Sequence, residues 1–329
     1  MNRFQLVQPL TVEAAMKALS AKGSVLRAGG VDLIDQQKEY LIAPTQLVDL
    51  RKVPGLAQVT AKPGHKLALG PMATLSAIAS DAELRRLYPA IAEAAEAVAT
   101  PQIRRLATLG GNLCQRPRCW YFRSEEFHCL KKGGDKCFAQ EGENVWHALF
   151  ENFPCAMVHP STMALPLIAH DATIELVSAS GKRSVSVESF FVKPEDKLSQ
   201  ETQLKPGEII TALHAPAHAG KSASLYVRLK HKQSFDWPLI ELALWGRADG
   251  GKLADVRVAL GAVAPIPLRA KALESALKGL ALDPAALKAK VPVVRKGARA
   301  LAHNGYKIGL LETTIARALD ELVRRLKAA

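Results

Sequence analysis

The sequence is poor in several features, and each absence narrows what the chain does. No run approaches the 18 or so apolar residues that a membrane-spanning helix needs, so membrane insertion is not expected. The first residues, MNRFQLVQPLTVEAAMKAL, hold no apolar stretch followed by a small-residue cleavage site, so no conventional export signal is read there. Aromatic residues make up only 5% of the chain, and no helix-turn-helix, zinc finger or aromatic RNA-binding platform is recognisable. The absence of G-x-G-x-x-G removes the Rossmann fingerprint and with it a nicotinamide site. There is no internal repeat and no low-complexity tract. Cysteine is scarce too: five residues, all between Cys114 and Cys155, with no C-x2-C pair among them. An odd number of thiols in an apparently cytosolic chain is a poor basis for disulfides.

What is present describes a soluble globular protein. At 329 residues the chain is long enough for two domains, and 48% apolar with 23% charged residues is ordinary for such a class. A net charge of +13 and a pI near 9.6 invite a nucleic-acid or anionic-membrane reading. The excess is spread, however. One group of basic residues flanks the cysteines (Arg104, Arg105, Arg116, Arg118, Arg123, Lys131, Lys132, Lys136) and another occupies the C-terminal tail from Arg295 to Lys327. A solvated face, or a docking surface for an acidic partner, accounts for it equally well.

Residue patterns predict mixed α and β structure. Thr11 caps a helix through VEAAMKALSAK, with Gly23 as its stop, and SVLRAGGVDLIDQQKEYL reads as strand, Gly-Gly turn and helix. TQLVDL is a strand, AQVTAKPGHKLALG a hairpin, and TLSAIASDAELRRLY a helix, followed by PAIAEAAEAVA with Pro89 at its first position. After Cys155 come an apolar helix and a hairpin turning near Gly181. GEIITALHAPA, SASLYVRLK and KLADVRVALGAVAP read as long antiparallel strands, and a domain boundary is expected near residue 180. Helices follow at PLRAKALESALKGL and DPAALKAKV. In the final helix, Leu311, Ile315, Leu319, Leu322 and Leu326 share one packing face.

Two features carry chemistry. The cysteine spacing is Cys114-x4-Cys119-x9-Cys129-x7-Cys137-x17-Cys155. Zinc sites usually hold at least one short pair, because a knuckle presents two sulfurs to one tetrahedral ion. A cubane iron–sulfur cluster takes one thiolate at each of four separate corners and tolerates irregular loop-borne spacing. Spacing leaves both open. Arg116, Arg118, Arg123, Lys131 and Lys132 offer positive charge to an anionic cluster, and Gly133 and Gly134 let backbone N–H groups approach its sulfurs. The second feature is a pair of Gly-Gly turns. RAGGVDL follows a strand and opens a helix, the arrangement in which backbone N–H groups hold a phosphate. TLGGNL is a second such turn, placed after a helix, and the two together suit one long diphosphate ligand.

These elements together resemble the flavin-binding (medium) subunits of the molybdenum hydroxylases, the xanthine dehydrogenase and aldehyde oxidoreductase family. The likeness is to the branch, including periplasmic aldehyde oxidoreductase, whose flavin subunit also holds a [4Fe-4S] cluster. It rests on AGGVDL, on GNLCQRPRCWYF, on GENVWHA and on the final Cys155 with His159-Pro160-Ser161, and it covers essentially the whole chain. The resemblance implies an α+β fold: a two-part FAD-binding domain of the PCMH/vanillyl-alcohol-oxidase-like type over 1–180, with a cluster-binding insertion at about 114–155. A smaller domain with an antiparallel sheet and helices follows over 181–290, and a helical extension over 291–329. The implied FAD contacts are Leu26, Arg27, Ala28, Gly29, Gly30, Val31, Asp32 and Leu33 in the first loop, and Thr108, Gly110, Gly111 and Asn112 in the second. Cys114, Gln115, Ser161 and Thr162 complete the loop region, and Ile210 and Arg228 fall beside the flavin ring. The cluster ligands become Cys119, Cys129, Cys137 and Cys155, with Cys114 a buried free thiol near the flavin.

Two departures stand out: Thr162 replaces an Asp expected after His-Pro-Ser, and Arg228 replaces a Lys. The resemblance further implies partners, a [2Fe-2S] small subunit and a molybdopterin-containing large subunit, with the external electron acceptor open. No catalytic acid or base is expected in this chain, and of its histidines only His159, beside the flavin loop, merits a test. Localisation is expected to be cytoplasmic, or periplasmic by co-export with a signal-bearing partner. The competing reading is a zinc-stabilised, basic nucleic-acid-binding protein.

Overall fold

A computed structural model describes residues 1–232 and 234–328. The chain opens with β1 (Gln5–Val7), α1 (Val12–Leu19), β2 (Ser24–Arg27), α2 (Val31–Lys38) and β3 (Gln46–Asp49). The three strands pair in parallel in the order β1-β3-β2. Thr11 caps α1 by accepting from the Ala14 N–H at 3.1 Å, as the sequence predicts. Ala15 of α1 closes a small core with Val48, Leu50, Val53, Leu56, Met72 and Ile209.

A second sheet begins with the predicted hairpin, β4 (Val59–Thr60) and β5 (Leu67–Leu69). Helices α3 (Leu75–Ser80), α4 (Ala82–Leu87) and α5 (Pro89–Ala97) follow. The expected single helix over TLSAIASDAELRRLY is two, because Asp81 takes an extended ψ of 117° and its carboxylate accepts from the Leu84 N–H at 2.8 Å. An aspartate that can cap a new helix competes with continuing the old one. Short helices α6 (Pro101–Arg104), α7 (Leu109–Leu113), α8 (Trp120–Arg123) and α9 (Ala164–Ala169) lead to β6 (Thr173–Ser178), β7 (Gly181–Ser186), α10 (Val187–Phe190) and β8 (Ile209–Ala215).

The second sheet has the order β4-β5-β8-β6-β7. Residue 180 therefore lies in the turn of the β6–β7 hairpin, and GEIITALHAPA returns as β8 between β5 and β6 instead of opening the next sheet. A boundary at 180 would cut a hydrogen-bonded sheet; the chain leaves it only after Ala215.

The remaining strands, β9 (Ser222–Leu229), β10 (Ile240–Asp249), β11 (Lys252–Gly261) and β12 (Leu268–Arg269), form an antiparallel sheet. Helices α11 (Lys271–Leu277), α12 (Pro284–Lys288) and α13 (Tyr306–Ala328) complete the chain. Strand β10 is buried on both faces. Ile240, Leu242 and Leu244 join the core beneath α13, whereas Ala243 and Trp245 join the core shared with α5 and α9. That two-sided burial explains the unbroken apolar run around Glu241. All five predicted residues of α13 are buried.

Candidate cofactor site

Helix α2 starts at Gly30, which holds a left-handed φ of 81° that a side chain would strain. Beside it, a Cβ on Gly29 would lie 2.0 Å from the Leu106 carbonyl oxygen, and one on Gly111 would lie 3.7 Å from the Ala28 Cβ. The two glycine pairs, far apart in sequence, thus converge. TLGGNL is not a turn closing a helix: Thr108 caps α7, its hydroxyl accepting from the Gly111 N–H at 3.2 Å. Two backbone loops that approach this closely, with Gly29 packed too tightly on Leu106 to take a Cβ, form a cradle suited to an extended diphosphate. Val31 is exposed and Leu33 half-buried, and both offer only backbone polar groups.

Most of the other side chains singled out by the sequence are occupied with one another. Asn112 Oδ1 accepts from Ser161 Oγ at 2.9 Å and from the Met163 N–H at 3.1 Å; Gln115 Nε2 donates to the carbonyls of Asn112 and Pro160. These bonds fasten the 108–115 loop to the 159–164 turn. Arg27 is paired with buried Asp49. Burial works against ionising Asp49, but bonding to Arg51 and the Arg27 and Arg51 charges hold its carboxyl below the ordinary value. Leu26 packs against the small core that holds Ile209, whereas the next residue, Ile210, faces the larger core from β8. His159 is buried, accepts from the Ser161 N–H at 3.2 Å, and is pushed down to about 3 by burial and then Lys131.

Asp32 turns away from its own loop. Its Oδ1 pairs with Arg118 and Arg123, each at 2.8 Å, and its Oδ2 accepts from the Arg116 N–H at 2.8 Å. Asp35 on α2 and Glu39 at its C-terminal cap extend the network, and Arg116 and Lys131 share Glu201 at 2.8 Å each. Arg116, Arg118, Arg123 and Lys131, expected to face a cluster, are instead matched by carboxylates, because little-exposed guanidinium and ammonium groups require counter-charges, while Lys132 donates to the Ser124 carbonyl. The network fastens the first glycine loop to the cysteine segment.

The sequence reading missed Glu241. Its carboxylate, 1% exposed, accepts from Thr162 Oγ1 at 2.9 Å and from the Tyr226 hydroxyl at 2.6 Å. Burial raises its pKa, opposed by the charge of Arg228, its cross-strand neighbour. A carboxyl thus stands directly behind Thr162, the position without the expected aspartate. The available signal was a lone acid inside PLIELALWG. Arg228 donates to the carbonyls of Ala97 (2.6 Å) and Asp236 (2.7 Å), bridging α5 to the loop after β9.

Cys119, Cys129, Cys137 and Cys155 line one small cavity, walled by Tyr121, Phe122, Phe138, Lys131 and Met157. Tight backbone turns place them: the Gly134 N–H reaches the Cys129 carbonyl at 3.1 Å and the Gln140 N–H that of Cys137 at 3.1 Å. Interaction with the neighbouring Cys155 thiol and with the backbone at Ala156, Ala139 and Gln140 lowers the Cys137 thiol below its ordinary value, against the pull of burial. The same interaction, with burial, raises Cys155 well above its ordinary value. Burial pushes Cys119 up to about 12. Cys114 stands apart at the end of α7, packed on the main core and also pushed up to about 12 by burial and then Glu201. Among the described residues, no three His, Cys, Asp or Glu side chains converge closely enough to hold a single metal ion.

Residues 2–218 match the FAD binding domain in molybdopterin dehydrogenase, and residues 225–322 match the CO dehydrogenase flavoprotein C-terminal domain. The chain belongs to the FAD-binding subunits of the molybdenum hydroxylases. It is an oxidoreductase subunit, and the zinc-stabilised nucleic-acid binder is not favoured. The two family segments meet where the chain passes from β8 to β9. The chain is 32% identical to the aldehyde oxidoreductase FAD-binding subunit PaoB of Escherichia coli, over 94% of each. It is 26% identical to the carbon monoxide dehydrogenase medium chain of Hydrogenophaga pseudoflava, over 97% of this chain and 96% of that one. In fold it is similar to a chain of the cyanide-inactivated Cu,Mo-CO dehydrogenase (TM-score 0.77, 24% identity, 98% and 99% covered). It is likewise similar in fold to quinoline 2-oxidoreductase from Pseudomonas putida 86 (TM-score 0.74, 21% identity, 98% and 97% covered). No helix among the described residues is long and apolar enough to cross a membrane.

Proposed function

We propose that this chain is the electron-transfer subunit of a molybdenum hydroxylase, holding FAD on its two glycine loops and a [4Fe-4S] cluster on Cys119, Cys129, Cys137 and Cys155. A [2Fe-2S] small subunit and a molybdopterin-containing large subunit would complete the assembly, with an external electron acceptor. The likeness to PaoB favours an aldehyde as the assembly's substrate. When bound, the two groups supply single-electron exchange, and FAD can also release electrons in pairs.

The observation that carries the reading is the convergence of four of the five cysteines on one cavity, with the fifth outside it. Around that cavity the aromatic rings exclude water, which helps keep thiolates bound to metal rather than solvated. At the flavin end, Gly29, Gly30 and Gly111 leave backbone free to approach a diphosphate, and Asn112, Gln115 and Ser161 hold the second loop rigid. Thr162 and Glu241 place a hydroxyl and a carboxyl beside that loop.

The test is anaerobic purification of the assembled complex, with flavin and iron counted per chain. About four irons and one flavin are expected beyond the partners' own content. Cys119→Ser and Cys137→Ser should lose the iron and keep the flavin. An anaerobic preparation with flavin but no cluster iron in this subunit removes the cluster reading and leaves the flavin one standing.

A further inference from the structure

The turn from Asn144 to Ala148 has no regular secondary structure, yet the C-terminal part of the chain holds it from several directions. Asn304 Nδ2 donates to the carbonyls of His147 and Ala148, each at 3.1 Å, and Lys307 Nζ to those of Trp146 and His147, each at 3.1 Å. The Tyr306 hydroxyl reaches the Val145 carbonyl at 3.0 Å, and Asn144 Oδ1 accepts from the His303 N–H at 2.9 Å. Asn304 and Lys307 are wholly buried. Burying an amine with no carboxylate beside it is unfavourable, and here only carbonyl oxygens, that of Ala262 included, offset the cost. A clamp of that kind needs a reason.

His147 supplies one. Its ring packs edge-on against Trp120 at 4.9 Å and places Nε2 3.3 Å from the Cys119 sulfur. Its other nitrogen has no hydrogen-bond partner within the described residues. We infer that His147 is a positioning residue for the cysteine-bound cluster, its Nε2–H hydrogen-bonding the Cys119 sulfur while the Asn304–Lys307 clamp holds the imidazole in place. The inference rests on the cluster reading above. A sulfur bound to iron carries no proton, so the hydrogen of the pair lies on Nε2 and the ring donates. A donor to a ligand sulfur withdraws negative charge, favours the reduced cluster and raises its reduction potential. His147 Nε2 reaches the Cys119 sulfur directly, whereas Arg116, Arg118, Arg123 and Lys131 are paired with carboxylates that offset part of their charge.

The experiment is a potentiometric titration of the assembled complex, followed by the cluster's electron paramagnetic resonance signal, with iron counted for each variant. His147→Leu is expected to keep its iron and shift the cluster potential downward. His147→Gln, whose amide N–H reaches toward the same sulfur, should recover part of the shift. Asn304→Ala, which leaves the imidazole but loosens its backbone, should shift it in the same direction by less. Loaded His147→Leu protein with an unshifted potential and signal overturns the inference. If that variant fails to load, an unshifted potential in Asn304→Ala overturns it instead. Wild-type protein without cluster iron overturns the cluster reading itself, so the two failures are distinct.

Discussion

Replacing Asp32 by alanine tests whether the flavin loop and the cysteine segment are one mechanical unit. The substitution removes two ion pairs of 2.8 Å, to Arg118 and Arg123, and the bonds from the Arg116 N–H and Gln36. Exposed pairs contribute about 0–1 kcal/mol, whereas removing one partner of a buried pair costs about 3–5 kcal/mol. The side chains of Asp32 and Arg123 are 12% and 9% exposed, which places them nearer the buried case. Arg123 nevertheless keeps Glu39 at 2.8 Å and Asp35 at 3.3 Å, so it is not orphaned. A loss of roughly 2–3 kcal/mol follows, of which about 1 kcal/mol is the lost bond to the Arg116 backbone. The assay is denaturant unfolding of Asp32→Ala, Arg123→Ala and the double variant, with a coupling of about 1–2 kcal/mol expected between the two sites. Because the pair is sheltered, the coupling should change little between low and high salt. Iron content should fall along with stability, since the segment anchored by Asp32 leads into Cys119. A loss below about 0.5 kcal/mol with no coupling would refute the reasoning, because it would put these charges in the exposed class.

Three further outcomes are expected. Gly29→Ala drives a methyl against the Leu106 carbonyl oxygen at 2.0 Å, a backbone contact that no rotamer relieves; with overpacking costing about 1–3 kcal/mol, flavin affinity should drop about tenfold or more in a fluorescence titration, and an unchanged Kd would locate the flavin elsewhere. Burial lowers Lys307 to about 7, so between that value and the unfolded lysine's, about 10.4, the unfolded chain binds the extra proton. Stability should therefore rise as pH climbs through that window, and Lys307→Met should flatten the rise in pH-dependent unfolding. Cys114→Ala should leave the iron content intact, and alkylation of Cys114 in the folded protein should be slow, because its thiol is pushed up to about 12; loss of iron would place Cys114 among the ligands.

Where structure depends on neighbours in sequence, most of it was legible. Thr11, Pro89 and the apolar stripe of α13 marked helices that the structure contains, because capping, a fixed φ and a helical repeat act over a few residues. The glycine pairs and the five clustered cysteines were equally legible as types suited to phosphate and to metal. Asp81 shows the limit even at short range, since a capping side chain outcompeted a continuous helical pattern. What neighbours cannot specify is which partner a group meets across the fold. Residue 180 looked like a boundary because β6 and β7 form a local hairpin, but β8 returns from a distant stretch to complete their sheet. Arg116, Arg118, Arg123 and Lys131 looked free until Asp32, Asp35, Glu39 and Glu201 came to meet them. Glu241 went unremarked in the sequence, and only the packing of β10 against the 159–164 turn makes it a buried carboxyl behind Thr162. Local residue chemistry fixed what each segment is able to hold; long-range packing, which brings together groups far apart in sequence and removes water from between them, decided which ones share a site.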